Sequence, residues 1–291
     1  MVSSDAEGLP CRACGIHLSY WQEAWSDDLL PLIRKARIAG FDVAEFPLLS
    51  PQDLDYPRLR SALDDEGMLA SCGTGLGLET DITSPDAVIR KAGLQHLQAC
   101  IAGAAALGSP VLGGVTYAAW GVFPQDDLLL RRKHCVESLR IAAKMAVDHG
   151  VMLCLEVLNR FEGYLLNTAR QGVQLVQEVD SSNIKLHLDT FHMNIEEDHP
   201  ADAILCAGEH LGHFHCVANN RKIPGEGHIS WAEVRQALQA IQYQGYLVTE
   251  AFVSTAGEVG RGLSIWRPLA DDLDLAASRA AAFLKREVAN V

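Results

Sequence analysis

Read from the amino end, the chain repeats one theme. A short apolar run is followed by a longer stretch whose apolar residues recur every three or four positions. Continuous runs of four to eight apolar residues predict strands buried on both faces, and the periodic stretches predict amphipathic helices. Strands are expected at 16–20, 41–46, 68–72, 111–115, 151–157, 184–189, 212–216 and 246–250. Helices are expected at 29–39, 59–65, 85–106, 128–149, 168–179, 201–210, 230–244 and 273–288. In the first helix Leu29, Leu30, Ile33 and Ala36 keep helical spacing and Gly40 is the stop. Ser84 is a candidate N-cap, and Ser230-Trp-Ala-Glu233 reads as a capping box.

Strict alternation of strand and helix, with no Pro/Gly/Ser linker between units, predicts a parallel sheet covered by helices. Eight such units in 291 residues predict a closed (β/α)8 TIM barrel. One domain spanning 1–291 is expected, with 1–13 as an N-terminal extension. No G-x-G-x-x-G joins the first strand to the first helix, which argues against an open dinucleotide-binding sheet.

Composition narrows the partners. Hydrophobic residues at 48% supply a core that needs no disulfide or structural metal. Lys+Arg 24 against Asp+Glu 37 leaves a net charge of −13, which repels phosphate backbones and anionic lipid. Neither a nucleic-acid nor a membrane partner is expected, and no apolar run approaches the roughly 20 residues that span a bilayer. The first residues carry no basic and apolar leader pattern, so the eight cysteines read as reduced thiols and the location as cytoplasmic. Cys11-Arg-Ala-Cys14 has the C-x-x-C spacing but no second pair, and reads as incidental thiols at the edge of the first strand.

In a barrel the chemistry sits at the C-terminal ends of the strands. Four successive predicted strands end in a metal-ligand type: Glu156, Asp189, His215 and Glu250, at intervals of 33, 26 and 35 residues. Strands five to eight are neighbours, so these ends converge. Three carboxylates and one imidazole make an oxygen-rich site suited to Mn²⁺, Mg²⁺ or Co²⁺. Singly, each residue is as well explained as a cap or a hydrogen-bonded core group. Four in register are not, because such a cluster is costly without a cation. Glu162, His192 and Arg221 lie in the loops just beyond, and supply acceptors and donors suited to hydroxyls. Trp25, Trp120 and Phe252 fall near the upper ends of strands one, four and eight, where wall or core are equal readings. His187 and His213 lie two residues below ligands and read as barrel-interior histidines.

Three runs make the reading more specific. Leu-Glu-Val-Leu-Asn-Arg-Phe-Glu at 155–162, Leu-Asp-Thr-Phe-His-Met-Asn-Ile-Glu-Glu at 188–197 and Trp-Arg-Pro at 266–268 resemble the D-tagatose/D-allulose (psicose) 3-epimerase family. These are ketose 3-epimerases of the xylose-isomerase-like TIM barrels, and the resemblance covers nearly the whole chain. It implies that Glu156, Asp189, His215 and Glu250 bind Mn²⁺ or Co²⁺, and that Glu156 and Glu250 are the acid/base pair. It also implies substrate contacts from Glu162, His192 and Arg221, and a pocket lined by Trp25, Trp120, Phe252 and His17. A homodimer or homotetramer is implied as well. One segment departs from the family pattern: after His215 the chain reads Cys-Val-Ala-Asn-Asn-Arg221, with Val217 and Ala218 where Gly-Glu is usual. That change is expected to touch the support of the site and its substrate preference.

The chemistry fits these residues on its own terms. Epimerisation beside a ketone removes an α-proton and returns it on the other face. A divalent cation stabilises the enediolate, and two carboxylates, one above and one below C3, carry the proton. No Gly-rich phosphate loop is evident, so a free ketose is expected, such as D-fructose/D-allulose or D-tagatose/D-sorbose. Two alternatives remain open here: an aldose–ketose or inosose isomerase on the same barrel, and a non-catalytic sugar-binding protein. A DNA-repair nuclease would need further histidine ligands and a basic groove.

Overall fold

The computed structural model describes residues 12–289. Eight parallel strands close on themselves in chain order. They are β1 (Cys14–His17), β2 (Val43–Pro47), β3 (Leu69–Leu76), β4 (Val111–Ala119), β5 (Met152–Glu156), β6 (Ile184–Asp189), β7 (Leu211–His215) and β8 (Leu247–Thr249). The barrel is sealed where β1 pairs with β8, Gly15 opposite Val248 and Ile16 opposite Thr249. The expected (β/α)8 TIM barrel is the fold.

The helices are α1 (Leu30–Ala39), α2 (Tyr56–Glu66), α3 (Ala87–Leu107), α4 (Leu128–His149), α5 (Ala169–Val179), α6 (Thr190–Glu196), α7 (Pro200–Ala207), α8 (Trp231–Ala240), α9 (Gly257–Gly262) and α10 (Leu273–Phe283). Several of their starts are written in the sequence as oxygen caps. Asp127 accepts from the backbone N–H of Leu129 and Leu130, and Thr168 and Gln171 form a reciprocal capping box. Two expected caps differ. Asp86, not Ser84, caps α3, because its carboxylate reaches the Val88 N–H. Ser230 precedes α8 but makes no side-chain cap bond, and that helix stops at Ala240.

Strand edges moved where the chain turns early. β1 ends at His17 and a tight turn follows over Leu18–Trp21, where a longer strand was expected. β4 instead continues to Ala119, with a register shift against β3 after Gly75. Gly114 sits in this irregular pair at φ +97, and a Cβ there would meet the Thr74 carbonyl at 2.1 Å, so no other residue fits. Cys72, Cys100, Cys135, Cys154 and Cys216 are buried thiols, whereas Cys206 is exposed. Cys11 lies outside the described residues. No helix among the described residues is long and apolar enough to cross a membrane.

The barrel interior is polar near its upper end. Register places Asp189 opposite His215 and His187 opposite His213 across β6 and β7, while Glu156 faces His187 across β5 and β6. This stagger brings side chains from several strands together beside glycines of β3 and β4.

Candidate active site

A cavity of about 340 Å³ opens at the C-terminal ends of the strands, within the size range of small-molecule sites. His17, Trp25, Trp120, Glu156, Glu162, His192, His215, Arg221, Glu250 and Phe252 all line it. Asp189 is fully buried behind them. The structure therefore gathers the candidate ligands and substrate-contact residues around one space.

Glu156, Asp189, His215 and Glu250 each offer a ligand atom within 4.8 Å of the others. Glu156 closes β5, Asp189 closes β6, His215 closes β7, and Glu250 follows β8 directly. His215 Nδ1 lies 3.9 Å from Asp189 Oδ2 and 3.7 Å from Glu250 Oε2. Glu156 Oε1, Asp189 Oδ2 and His215 Nδ1 are all buried without a hydrogen-bond partner. Three orphaned, acceptor-type atoms pointing at one spot are costly in a protein interior unless a cation meets them. The donor set fits a hard divalent metal ion.

The electrostatics are uneven around this ring. Burial pushes Asp189 up to about 7, against the opposing pull of His215 and Arg221. Burial likewise raises Glu156 well above the usual carboxylate range, and the neighbouring charge of Glu250 adds to it. Burial works on Glu250 in the same direction, but His215, His17 and Arg221 outweigh it and hold that carboxyl at about 2. The two glutamates are thus shifted in opposite directions, the arrangement that separates a proton-holding from a proton-accepting carboxyl.

The loop residues form a second tier. Arg221 Nη2 donates to both oxygens of Glu162 at 3.1 Å, and Nη1 stands 3.6 Å from Glu250 Oε2. Its guanidinium stacks on Phe191 at 3.9 Å and reaches Phe252 at 5.5 Å. Trp120 Nε1 donates to Glu162 Oε2 at 3.2 Å, although the residue is 39% exposed. Trp25 packs beside Phe252, Val259 and Ile265, so it is both wall and core. His17 pairs through Nδ1 with Ser19 Oγ and sets Nε2 3.8 Å from Glu250 Oε1.

Two participants were missed from sequence. Asn159 is buried, and its side-chain amide donates to Glu162 Oε1 at 2.9 Å and to His192 Nδ1 at 2.8 Å. Because Nδ1 accepts there, a neutral His192 carries its proton on Nε2, which faces Glu156 Oε1 at 3.6 Å. Glu45 on β2 was also missed; it lies at the cavity floor, bonded to His213 and His215. A carboxylate set within the apolar run Val-Ala-Glu-Phe at 43–46 was the signal available. His213 is, as expected, a hydrogen-bonded barrel-interior histidine, and His187 Nδ1 accepts from the Gly114 N–H at 3.3 Å.

Val217 and Ala218 are fully buried and do not line the cavity. Thr190 Oγ1 donates to the Val217 carbonyl at 2.6 Å and accepts from its N–H at 2.8 Å, which ties this loop to the turn after Asp189. The departure from the family pattern therefore lies behind the site wall.

Comparison with known proteins agrees with this geometry. The model for the xylose isomerase-like TIM barrel family matches residues 33–286. A D-psicose 3-epimerase from Agrobacterium fabrum is 38% identical over 267 residues, 90% of this chain and 92% of that protein. A second D-psicose 3-epimerase, from Ruminiclostridium cellulolyticum, is 39% identical over 265 residues, 89% of this chain and 90% of that one. The crystal structure of a D-psicose 3-epimerase in the presence of D-fructose superposes with a TM-score of 0.92 at 36% identity, covering 95% of this chain and 99% of that one. With barrel, cavity and relatives in agreement, the chain belongs to the ketose 3-epimerase family of xylose isomerase-like TIM barrels.

Proposed function

We propose that this protein is a metal-dependent ketose 3-epimerase acting on free ketoses. The observation that carries the reading is the pair Glu156 and Glu250, on strands five and eight, converging on one cavity with Asp189 and His215. Glu156, Asp189, His215 and Glu250 would hold the cation, with Mn²⁺ favoured over Co²⁺ or Mg²⁺. Once bound, a divalent cation polarises the ketose carbonyl and stabilises the negative charge that develops as the α-proton leaves.

The chain's own residues do the rest. One glutamate removes the proton at C3 and the other returns one to the opposite face, which inverts that carbon. His192, with its Nε2–H toward Glu156, and Arg221, beside Glu250, hold these carboxylates and present donors to substrate oxygens. Glu162 accepts from substrate hydroxyls, and Asn159 keeps it and His192 in place. Trp25, Trp120, Phe252 and His17 form the wall and restrict water. Arg221 is the only lysine or arginine among the lining residues, and Glu162 already engages it. That leaves no cationic pocket for a phosphate and favours a free sugar.

The test is ketose conversion followed by chromatography. Chelator-stripped protein is incubated with D-fructose, D-tagatose and L-ribulose, with and without Mn²⁺. Metal-dependent appearance of the C3 epimer is the expected result. An aldose product would move the reading to an isomerase, and no product from metal-loaded protein would move it to a sugar-binding role.

We also infer a homodimer or homotetramer, and a cytoplasmic location in keeping with the buried thiols. Within 263–269, Leu263, Ile265 and Leu269 pack inward on Phe252 and Val259, while Trp266 is 75% exposed beside Phe161 at 72%. An aromatic rim of that kind supports subunit contact. Light scattering on the eluted protein reads the assembly directly.

A further inference from the structure

Glu45 has no role in the reaction described above, and ketose chemistry asks for no carboxylate on β2. Even so, it is 1% exposed and both of its oxygens are engaged. Oε1 accepts from His215 Nε2 at 2.6 Å, and Oε2 accepts from His213 Nε2 at 2.7 Å. An ionised carboxylate offers only acceptor sites, so each imidazole must carry a proton on Nε2. For a neutral ring that leaves Nδ1 as the lone-pair nitrogen. In His215 this is the atom without a hydrogen-bond partner, turned toward Asp189 and Glu250.

We propose that Glu45 is the positioning residue of the metal site. It fixes His215 as the Nε2–H tautomer and turns Nδ1 toward the cation, while His213 clamps its second oxygen. The proposal rests on the metal reading given above. It has the logic of carboxylate–histidine–metal triads, in which the outer carboxylate sets both the ring orientation and the ligand basicity.

The same cluster invites another reading. His187, His213 and His215 each have a ring nitrogen within 4.8 Å of the others, close enough to suggest a second cation. That reading fails at His215. Its Nε2 belongs to Glu45 and its Nδ1 to the four-ligand group, which leaves two imidazoles, one of them already bonded to Glu45. The three rings pack edge to face at centroid distances of 4.0–5.1 Å, and serve as a buttress under the ligand.

The test compares the chelator-stripped full-length protein with Glu45→Gln by Mn²⁺ titration calorimetry. Glutamine matches the shape but has one acceptor oxygen and one NH₂ group. Both Nε2–H bonds cannot survive, and an amide NH₂ facing His215 would force its proton onto Nδ1. Mn²⁺ affinity is expected to fall by about ten- to a hundredfold, with the far-UV spectrum of the metal-free protein unchanged. A second measurement does not depend on the Glu45 variant. Long-range ¹H–¹⁵N correlation of the Zn²⁺-loaded parent is expected to show Nε2–H protons on both His213 and His215, with His213→Asn used for assignment. A proton on Nδ1 of His215 overturns the proposal whether or not Glu45→Gln folds. Equal Mn²⁺ affinity in parent and variant overturns the role of Glu45 alone, and a parent that takes up no Mn²⁺ overturns the metal reading with it.

Discussion

Replacing Arg221 with lysine keeps the positive charge and removes the planar fork. The guanidinium makes two 3.1 Å bonds to Glu162 and stacks on Phe191 at 3.9 Å. Lysine can keep one ion pair, so the substitution costs one charge-assisted hydrogen bond, about 1.5–3 kcal/mol, and much of the stacking, about 0.5–2 kcal/mol. The Glu162 side chain is 20% exposed, so water recovers part of this loss and the lower half of the range applies. A net loss of about 2–3 kcal/mol at a site facing the cavity corresponds to a fall in kcat/KM of about 30- to 160-fold. Backbone strain does not confuse the comparison. Arg221 sits at φ +64, held by its N–H to the Ala218 carbonyl and by the Phe252 N–H on its own carbonyl, and lysine bears the same left-handed cost. Steady-state rates of C3 epimerisation measured beside the melting temperature would decide the matter. A lysine variant within threefold of the parent would refute the claim that the fork is what the site requires.

Three further outcomes follow from the same geometry. Glu156→Gln and Glu250→Gln are each expected to lower kcat by about 10²- to 10⁴-fold. Proton NMR in D₂O would follow loss of deuterium incorporation at C3, and normal exchange in either variant would remove that residue from the proton path. Adding Mn²⁺ at about a hundred times its Kd is expected to stabilise the protein by about 2.7 kcal/mol. For a domain of this size that means about 5–10 °C in a thermal melt relative to protein in chelator. Mn²⁺ affinity is expected to rise with pH through about 7, because Asp189 at about 7 and the raised Glu156 hold protons that the cation must displace. The sign for the metal-free protein is the reverse: the stability that the raised Asp189 contributes is present below its unfolded value and lost as pH rises through about 7, and the raised Glu156 acts in the same direction. Glu250, already ionised from about pH 2, adds nothing in that window. Calorimetry at pH 6 in two buffers of different ionisation heat would show proton release, and identical heats would count against it.

The strand ends were the most readable part of the chain. Glu156, Asp189, His215 and Glu250 each terminate an apolar run, and a barrel can bring such ends to only one place. Glu45 was not readable in the same way. It sits inside its strand, and its partners His213 and His215 lie 168 and 170 residues away, so only closure of the barrel reveals what it holds. Asn159 stood within a recognised run, but its double bond to Glu162 and His192 depends on how two separate loops meet. Local signals misled where a rival oxygen stood nearby. Ser84 and Asp86 compete for one helix start, and the carboxylate prevails because it reaches the Val88 N–H. The positive φ of Arg221 is likewise invisible in sequence, since arginine carries no mark of the turn that a glycine would.

Because β1 and β7 both pair with β8, the final strand is the keystone of the ring. During synthesis the growing barrel carries two bare strand edges and an incomplete ligand set until residues 247–250 emerge. Bare edges of that kind are prone to pair with neighbouring chains. On the proposed metal reading, cation retention would report completeness, since Glu250 joins Glu156, Asp189 and His215 only once the two ends have met. A protein truncated after residue 246 is expected to lose Mn²⁺ on desalting and to aggregate, whereas the full chain elutes with its metal.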